Sequence, residues 1–124
     1  LKRASIDIGS NTVLLLAAEI SEQGEIQKEL ANESRVTSLG KDLDKTGVFR
    51  QESMDDTYSA FVDYKKILNK LGITSENTIV TATEASRVAK NARPFLDKLE
   101  SDFDVKIHLI SGEGEAFYTS YGVV

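Results

Sequence analysis

The chain contains no cysteine and no tryptophan, and only one proline, one methionine and one histidine. Without cysteine there is neither a disulfide nor a thiolate metal site, so an apolar core must hold the fold together. The same absence fits a reducing cytoplasm, the compartment expected here. No apolar run approaches the ~18 residues that a bilayer crossing needs. Leu1-Lys2-Arg3 leads straight into a strand pattern, so no signal peptide is expected. The first residue is not methionine, and the chain is expected to be a piece of a longer protein. A basic excess is missing too: 15 Lys and Arg stand against 20 Asp and Glu, a formal charge of −5. That balance argues against nucleic acid and membrane surfaces as partners. It leaves open a small anion captured locally by backbone N–H groups, a few arginines and a metal ion.

The 124 residues present suffice for one compact domain, and 40% hydrophobic with 28% charged residues is an ordinary globular balance. Arg3 to Ile8 alternates as a short strand and stops at Gly9. Thr12 to Ile20 is a nearly continuous apolar run, the pattern of a strand covered on both faces. Gly9-Ser10-Asn11 between them is a tight-turn signal, and Glu22–Glu25 makes a second turn before a weaker third strand, Ile26 to Val36. A polar loop, Thr37 to Gly47, follows. Then the period changes: Met54, Tyr58, Phe61, Val62, Leu68 and Leu71 line one face of a helix, with Ser53 as the expected N-cap, Asp55 and Asp56 in the first turn, and Gly72 as the stop. Thr78 to Thr83 reads as a strand, Glu84 to Asn91 as a helix, and Pro94 to about Glu100 as another. Val105 to Ile110 is a last strand, with a helix expected from Gly112. His108 alternates with Ile107 and Leu109 and is expected to face away from the core. Tyr58, Tyr64, Tyr118 and Tyr121 read as packing residues, and Lys41, Lys90 and Arg93 as solvated charges. The order β-β-β-α-β-α-β-α predicts a mixed α/β sheet with parallel pairing among the later strands.

The densest chemical signal is Ile6-Asp7-Ile8-Gly9-Ser10-Asn11-Thr12. A carboxylate at the end of a buried strand runs into a small-residue turn whose N–H groups and hydroxyls converge without bulk, which suits a phosphate or a metal-bound phosphate. The residues alone leave an ordinary hairpin open as well. Arg87, placed after the fourth strand, can reach the crevice above the strand ends and grip phosphate oxygens, or simply pair with Glu84 one turn back. Arg35 is equally divided between phosphate contact and a polar strand end. Glu113 and Glu115 in themselves suit the N-terminus of a helix.

Ala4 to Thr12 resembles the first phosphate loop of the Ppx/GppA family, the exopolyphosphatases and guanosine pentaphosphate phosphohydrolases, whose members read close to Ala-x-Ile-Asp-x-Gly-Ser-Asn-Ser/Thr. Three more segments match in order. Arg35–Gly40 is similar to the family's Arg-Val-x-Leu-Gly, Ala82–Asn91 to its Ala-Thr-x-x-x-Arg-x-Ala-x-Asn, and Ile110–Ala116 to its Ile-Ser-Gly-x-Glu-Glu-Ala. The resemblance implies a ribonuclease-H-like sheet of five strands in order 3-2-1-4-5 with flanking helices, as in the actin, sugar-kinase and Hsp70 superfamily. It implies that residues 1–124 form the N-terminal lobe alone, since the family's second loop, Asp-x-Gly-Gly-Gly-Ser, does not occur in them.

The implied activity is hydrolysis of a terminal phosphoanhydride, releasing orthophosphate from inorganic polyphosphate or guanosine pentaphosphate, by the full-length parent, an expected homodimer. The isolated lobe is expected to be inactive. The implied site has Glu115 as the catalytic base for water, Gly9, Ser10, Asn11, Thr12, Arg35 and Arg87 on phosphate, and Asp7 on Mg²⁺. One departure stands out: Gly114 occupies the place of the first of the family's two glutamates. It keeps alive a second reading, a sensor that binds alarmone or polyphosphate without cleaving it. A kinase of the same superfamily ranks lower, because the Glu115 segment differs from a kinase acid constellation.

Overall fold

The computed structural model describes residues 1–83 and 88–110. Strand β1 (Lys2–Ile8) and strand β2 (Thr12–Ile20) form an antiparallel hairpin, and β3 (Ile26–Val36) continues the meander. After a short helix α1 (Leu43–Thr46) and the 21-residue helix α2 (Gln51–Leu71), the chain makes a 3₁₀ turn (Ser75–Asn77) and enters β4 (Thr78–Thr83). Helix α3 (Ala92–Phe103) then leads to β5 (Ile107–Ile110). The five strands make one sheet in the order β3-β2-β1-β4-β5, with β4 parallel to both β1 and β5. This is the expected mixed sheet. The order follows from connection type: two-turn hairpins keep β1 to β3 antiparallel, and the helical crossovers bring β4 and β5 back parallel.

Helices α2 and α3 pack on one face. Phe61, Tyr64 and Leu68 of α2 and Phe95, Leu96 and Leu99 of α3 share a single core with Ile6, Ile8, Val13, Leu15, Val80 and Ala82 of the sheet. In α2 the buried positions Ser53, Thr57, Ala60, Phe61, Tyr64 and Leu68 recur at three and four, the helical period that puts them under one stripe. Burial on the second face of β2 is partial, where Leu16 packs with the buried Ala18 and Ile20. Val13 and Leu15 lie under α2, whereas Leu14 on the other face is 43% exposed.

Several boundaries differ from the sequence reading. Ser53 is not the N-cap of α2: the helix starts at Gln51, Arg50 holds the cap position, and Glu52 rather than Asp55 or Asp56 is the first-turn acid. Ser53 is buried instead, donating from Oγ to the Ser38 carbonyl at 2.9 Å. Gly72 ends α2 with φ +75°, as expected. The loop after β3 contains α1. Of the helix expected over Glu84–Asn91, residues 84–87 lie outside the described residues, Val88 is 3₁₀-helical, and Ala89–Asn91 bend and turn towards the next helix. Helix α3 begins at Ala92, with Pro94 inside its first turn, where a missing N–H costs nothing. Strand β5 opens at Ile107 rather than Val105. The helix expected from Gly112, with Tyr118 and Tyr121, lies outside the described residues. His108 is exposed, as its alternation implied. No helix among the described residues is long and apolar enough to cross a membrane.

Candidate functional site

Parallel pairing sets the site. Ile8 pairs with Ala82, and Thr83 with Ile110, so the C-terminal ends of β1, β4 and β5 share one edge of the sheet. Adjacent strands lie about 4.8 Å apart, so the three ends span roughly 10 Å. Open α/β sheets offer ligands a crevice at this edge.

Asp7 sits one residue before the end of β1. Its neighbours Ile6 and Ile8 are fully buried under the helices, so strand alternation turns the half-buried Asp7 to the opposite face. There Thr81 of β4, directly across in the parallel register, donates from Oγ1 to Asp7 Oδ1 at 3.1 Å. The bond occupies one lone pair and fixes the carboxylate, which retains acceptor capacity for a cation or water. Among the described residues no three His, Cys, Asp or Glu side chains gather as a metal cluster.

The turn after Asp7 is closed by Gly9 N–H donating to the Thr12 carbonyl at 2.9 Å. A Cβ on Gly9 would lie 3.0 Å from that same oxygen, which is why the position carries none. Ser10 and Asn11 are exposed at the tip. Their carbonyls are not free. Thr37 and Ser38 N–H both donate to the Asn11 carbonyl, at 2.9 and 3.0 Å, and Gly40 N–H donates to the Ser10 carbonyl at 2.8 Å. The structure thus unites Asp7, Gly9, Ser10, Asn11 and Thr12 in one small constellation and adds Thr81, Ser38 and Gly40. Thr81 was missed because its partner lies 74 residues away in sequence; only the parallel register reveals the pair.

Arg35 is placed elsewhere. It pairs across the sheet with Val13, which is buried under α2, so the two share the helix face while Asp7 pairs with Leu14 on the other. Its guanidinium donates to Asp63 Oδ2 at 2.5 Å and to Ser59 Oγ at 3.4 Å, both on α2. Arg87 and Glu115 lie outside the described residues. Their strands are fixed, however: β4 ends four residues before Arg87 and β5 five residues before Glu115. Asn91, part of the same sequence segment as Arg87, has a structural use. Its side chain accepts from Phe49 N–H at 2.8 Å and donates to the Phe49 carbonyl at 3.1 Å, tying the start of α3 to the entry of α2. Of the expected solvated charges, Lys41 and Lys90 are exposed, and Arg93 pairs with Asp97 and Glu100 on its own helix.

The model of the Ppx/GppA phosphatase family matches residues 18–124. A bifunctional 3-dehydroquinate synthase/phosphatase of Fusobacterium nucleatum is 35% identical over 125 residues, covering 98% of this chain and 19% of that protein. Exopolyphosphatase 2 of Mycobacterium tuberculosis is 33% identical over 95 residues, 74% of this chain and 29% of that one. Among solved structures, the Aquifex aeolicus member of the Ppx/GppA family superposes with a TM-score of 0.86 at 32% identity, covering 95% of this chain and 37% of that one. The chain therefore spans well under half the length of these relatives.

Proposed function

Because the chain belongs to the Ppx/GppA phosphatase family, we propose that its full-length parent hydrolyses a terminal phosphoanhydride, releasing orthophosphate from inorganic polyphosphate or guanosine pentaphosphate. The observation that carries the reading is the constellation at the strand edge: Asp7, fixed by Thr81, beside a turn whose Ser10 and Asn11 carbonyls are engaged from behind. A relative described as an exopolyphosphatase supports the polyphosphate half of the proposal.

In this mechanism the Ser10 and Asn11 side chains and the N–H groups of the turn hold the terminal phosphate, with Thr12 closing the turn. Asp7 would hold Mg²⁺, and the ion would supply charge neutralisation for the anhydride and the departing phosphate. Arg87 grips phosphate oxygens from the end of β4. Glu115, beyond β5, orients the attacking water and takes its proton. Arg35 fastens β3 to α2, and a role on phosphate would require it to leave Asp63. The isolated 124-residue lobe supplies only one wall of the cleft and does not turn over. The parent is proposed to act in the cytoplasm as a homodimer.

The deciding experiment is Glu115→Gln in the full-length parent, with orthophosphate release and polyphosphate binding measured together. Loss of turnover with binding kept is expected. Turnover within about twofold of wild type would overturn the assignment, since removing a general base costs on the order of 10²-fold or more. A sensor reading, favoured by Gly114 in the place of a family glutamate, predicts a wild-type parent that binds both substrates and cleaves neither.

A further inference from the structure

We propose that the segment Thr37–Gly40 is the positioning element of the phosphate turn, and that Gly40 sets where Ser10 presents its hydroxyl and peptide to a terminal phosphate. The inference rests on the phosphoanhydride reading for its substrate, though not for its geometry.

A trans peptide is planar, so a carbonyl and the following N–H point in opposite directions. Gly40 N–H holds the Ser10 carbonyl, and Thr37 and Ser38 N–H hold the Asn11 carbonyl. The N–H groups of Asn11 and Thr12 must therefore point away from the Thr37–Gly40 segment. Three bonds on the back of the turn thus decide which way its donors face on the front. A two-residue hairpin tip left to itself would be free to flip these peptides, and a flip would present carbonyl oxygens to the phosphate.

The segment is itself anchored. Ser53, buried in the first turn of α2, donates to the Ser38 carbonyl at 2.9 Å. Ser38 adopts φ +55°, a left-handed conformation that costs a non-glycine residue and persists where its surroundings impose it. Contact with the turn is as close as atoms allow. A Cβ at Gly40 would lie 2.9 Å from Ser10 Cβ and 3.3 Å from the Ser10 carbonyl oxygen. Ser10 Cβ is bonded directly to the backbone, so relieving that overlap means moving the turn rather than rotating a side chain. The chain of contact runs from α2 through Ser53 and Ser38 to Gly40, and from Gly40 to Ser10 and Asn11.

The test is a double-mutant cycle in the full-length parent, read by tripolyphosphate binding, orthophosphate release and thermal unfolding. Gly40→Ala is expected to weaken tripolyphosphate binding roughly tenfold or more, with kcat falling further, because small displacements of a positioning group are costly. In a Ser10→Gly background the overlap with the Ser10 Cβ is gone and only the 3.3 Å approach to the carbonyl oxygen at that position remains, so the same substitution is expected to change the Kd far less, by under about threefold. Ser53→Ala, which adds no bulk, serves if Gly40→Ala folds poorly, and is expected to weaken binding several-fold. A merely structural segment would lower the unfolding temperature while leaving the Kd of the folded protein unchanged, and that result overturns the proposal. Equal losses in both Ser10 backgrounds overturn it too. A wild-type parent that binds tripolyphosphate without releasing orthophosphate sinks the hydrolase reading alone, and the same Kd comparison still decides the positioning role. A wild type that does not bind tripolyphosphate sinks both.

Discussion

Thr37 is 2% exposed, and its hydroxyl has no hydrogen-bond partner among the described residues, while its N–H serves the Asn11 carbonyl. A buried, unpaired hydroxyl costs desolvation without return, and an isosteric methyl removes that cost. Thr37→Val should therefore leave stability unchanged or raise it by about 1 kcal/mol in urea unfolding; a loss of more than that would reveal a partner for the oxygen. Thr81 presents the opposite case, since its hydroxyl has a charged acceptor in Asp7. Thr81→Val in the parent should lower orthophosphate release and raise the Mg²⁺ concentration needed for half-maximal rate, and Thr81→Ser should restore both. Equal behaviour of Val and Ser variants would mean that the bond orients nothing. At this scale the sequence showed Asp7 and the turn, because adjacent residues carry that signal. It could not show Thr81, Ser38 or Ser53, whose roles arise from partners brought together by the sheet and by α2.

The elements were more legible than the residues. The bounds of β2 and β4 follow from apolar or β-branched runs and those of the more polar β3 from the turn before it and the loop after it, and these local signals agree with the final pairing. The helix starts were not, because the cap signals competed with burial. Ser53 looks like an N-cap in sequence, yet the core needs its position inside the first turn. The element contact with the clearest energetic consequence is α2 on β2. Tyr64 is 2% exposed, and its hydroxyl donates to the Val13 carbonyl at 2.7 Å. Tyr64→Phe should cost about 1 kcal/mol, leaving one buried acceptor short of a donor. Desolvation by burial is the main cause that holds the Tyr64 phenol above its ordinary 10.0, with the nearby Arg35 opposing it. The raised value means that the folded state keeps its proton when the unfolded state has lost it. The associated stability is complete below pH 10 and is lost as pH rises through the folded value. The Tyr64→Phe variant should accordingly lose less stability than wild type between neutral pH and the region above 10, measured by urea unfolding across that range. A parallel decline in both proteins would mean that Tyr64 does not ionise on unfolding. Arg35 and Asp63 join the same two elements, but both side chains are more than a third exposed, and breaking this pair should cost no more than about 1 kcal/mol.

At the scale of the whole molecule, one core links the helix layer to the strand edge that bears Asp7. Phe61 is fully buried at the centre of α2, its ring 5.4 Å from that of Phe103 on α3. The same cluster contains Ile6 and Ile8, which flank Asp7, and Val80 and Ala82, which flank Thr81. The helix face of the sheet therefore holds the strands whose other face presents Asp7 and Thr81. Their separation of structural and chemical faces explains why the core was readable from periodicity while the site needed the register. It also determines what a cavity would do. Phe→Ala in such a core costs about 3–5 kcal/mol, against a total of roughly 5–15 kcal/mol for a domain of this kind. Phe61→Ala in the isolated chain should lower the urea midpoint by about a fifth or more in a single transition, with helix and sheet signals lost together. Two separated transitions, one reported by α2 and another by the sheet, would show that the helix layer is a detachable cover and that the strand edge bearing Asp7 is held in place without it.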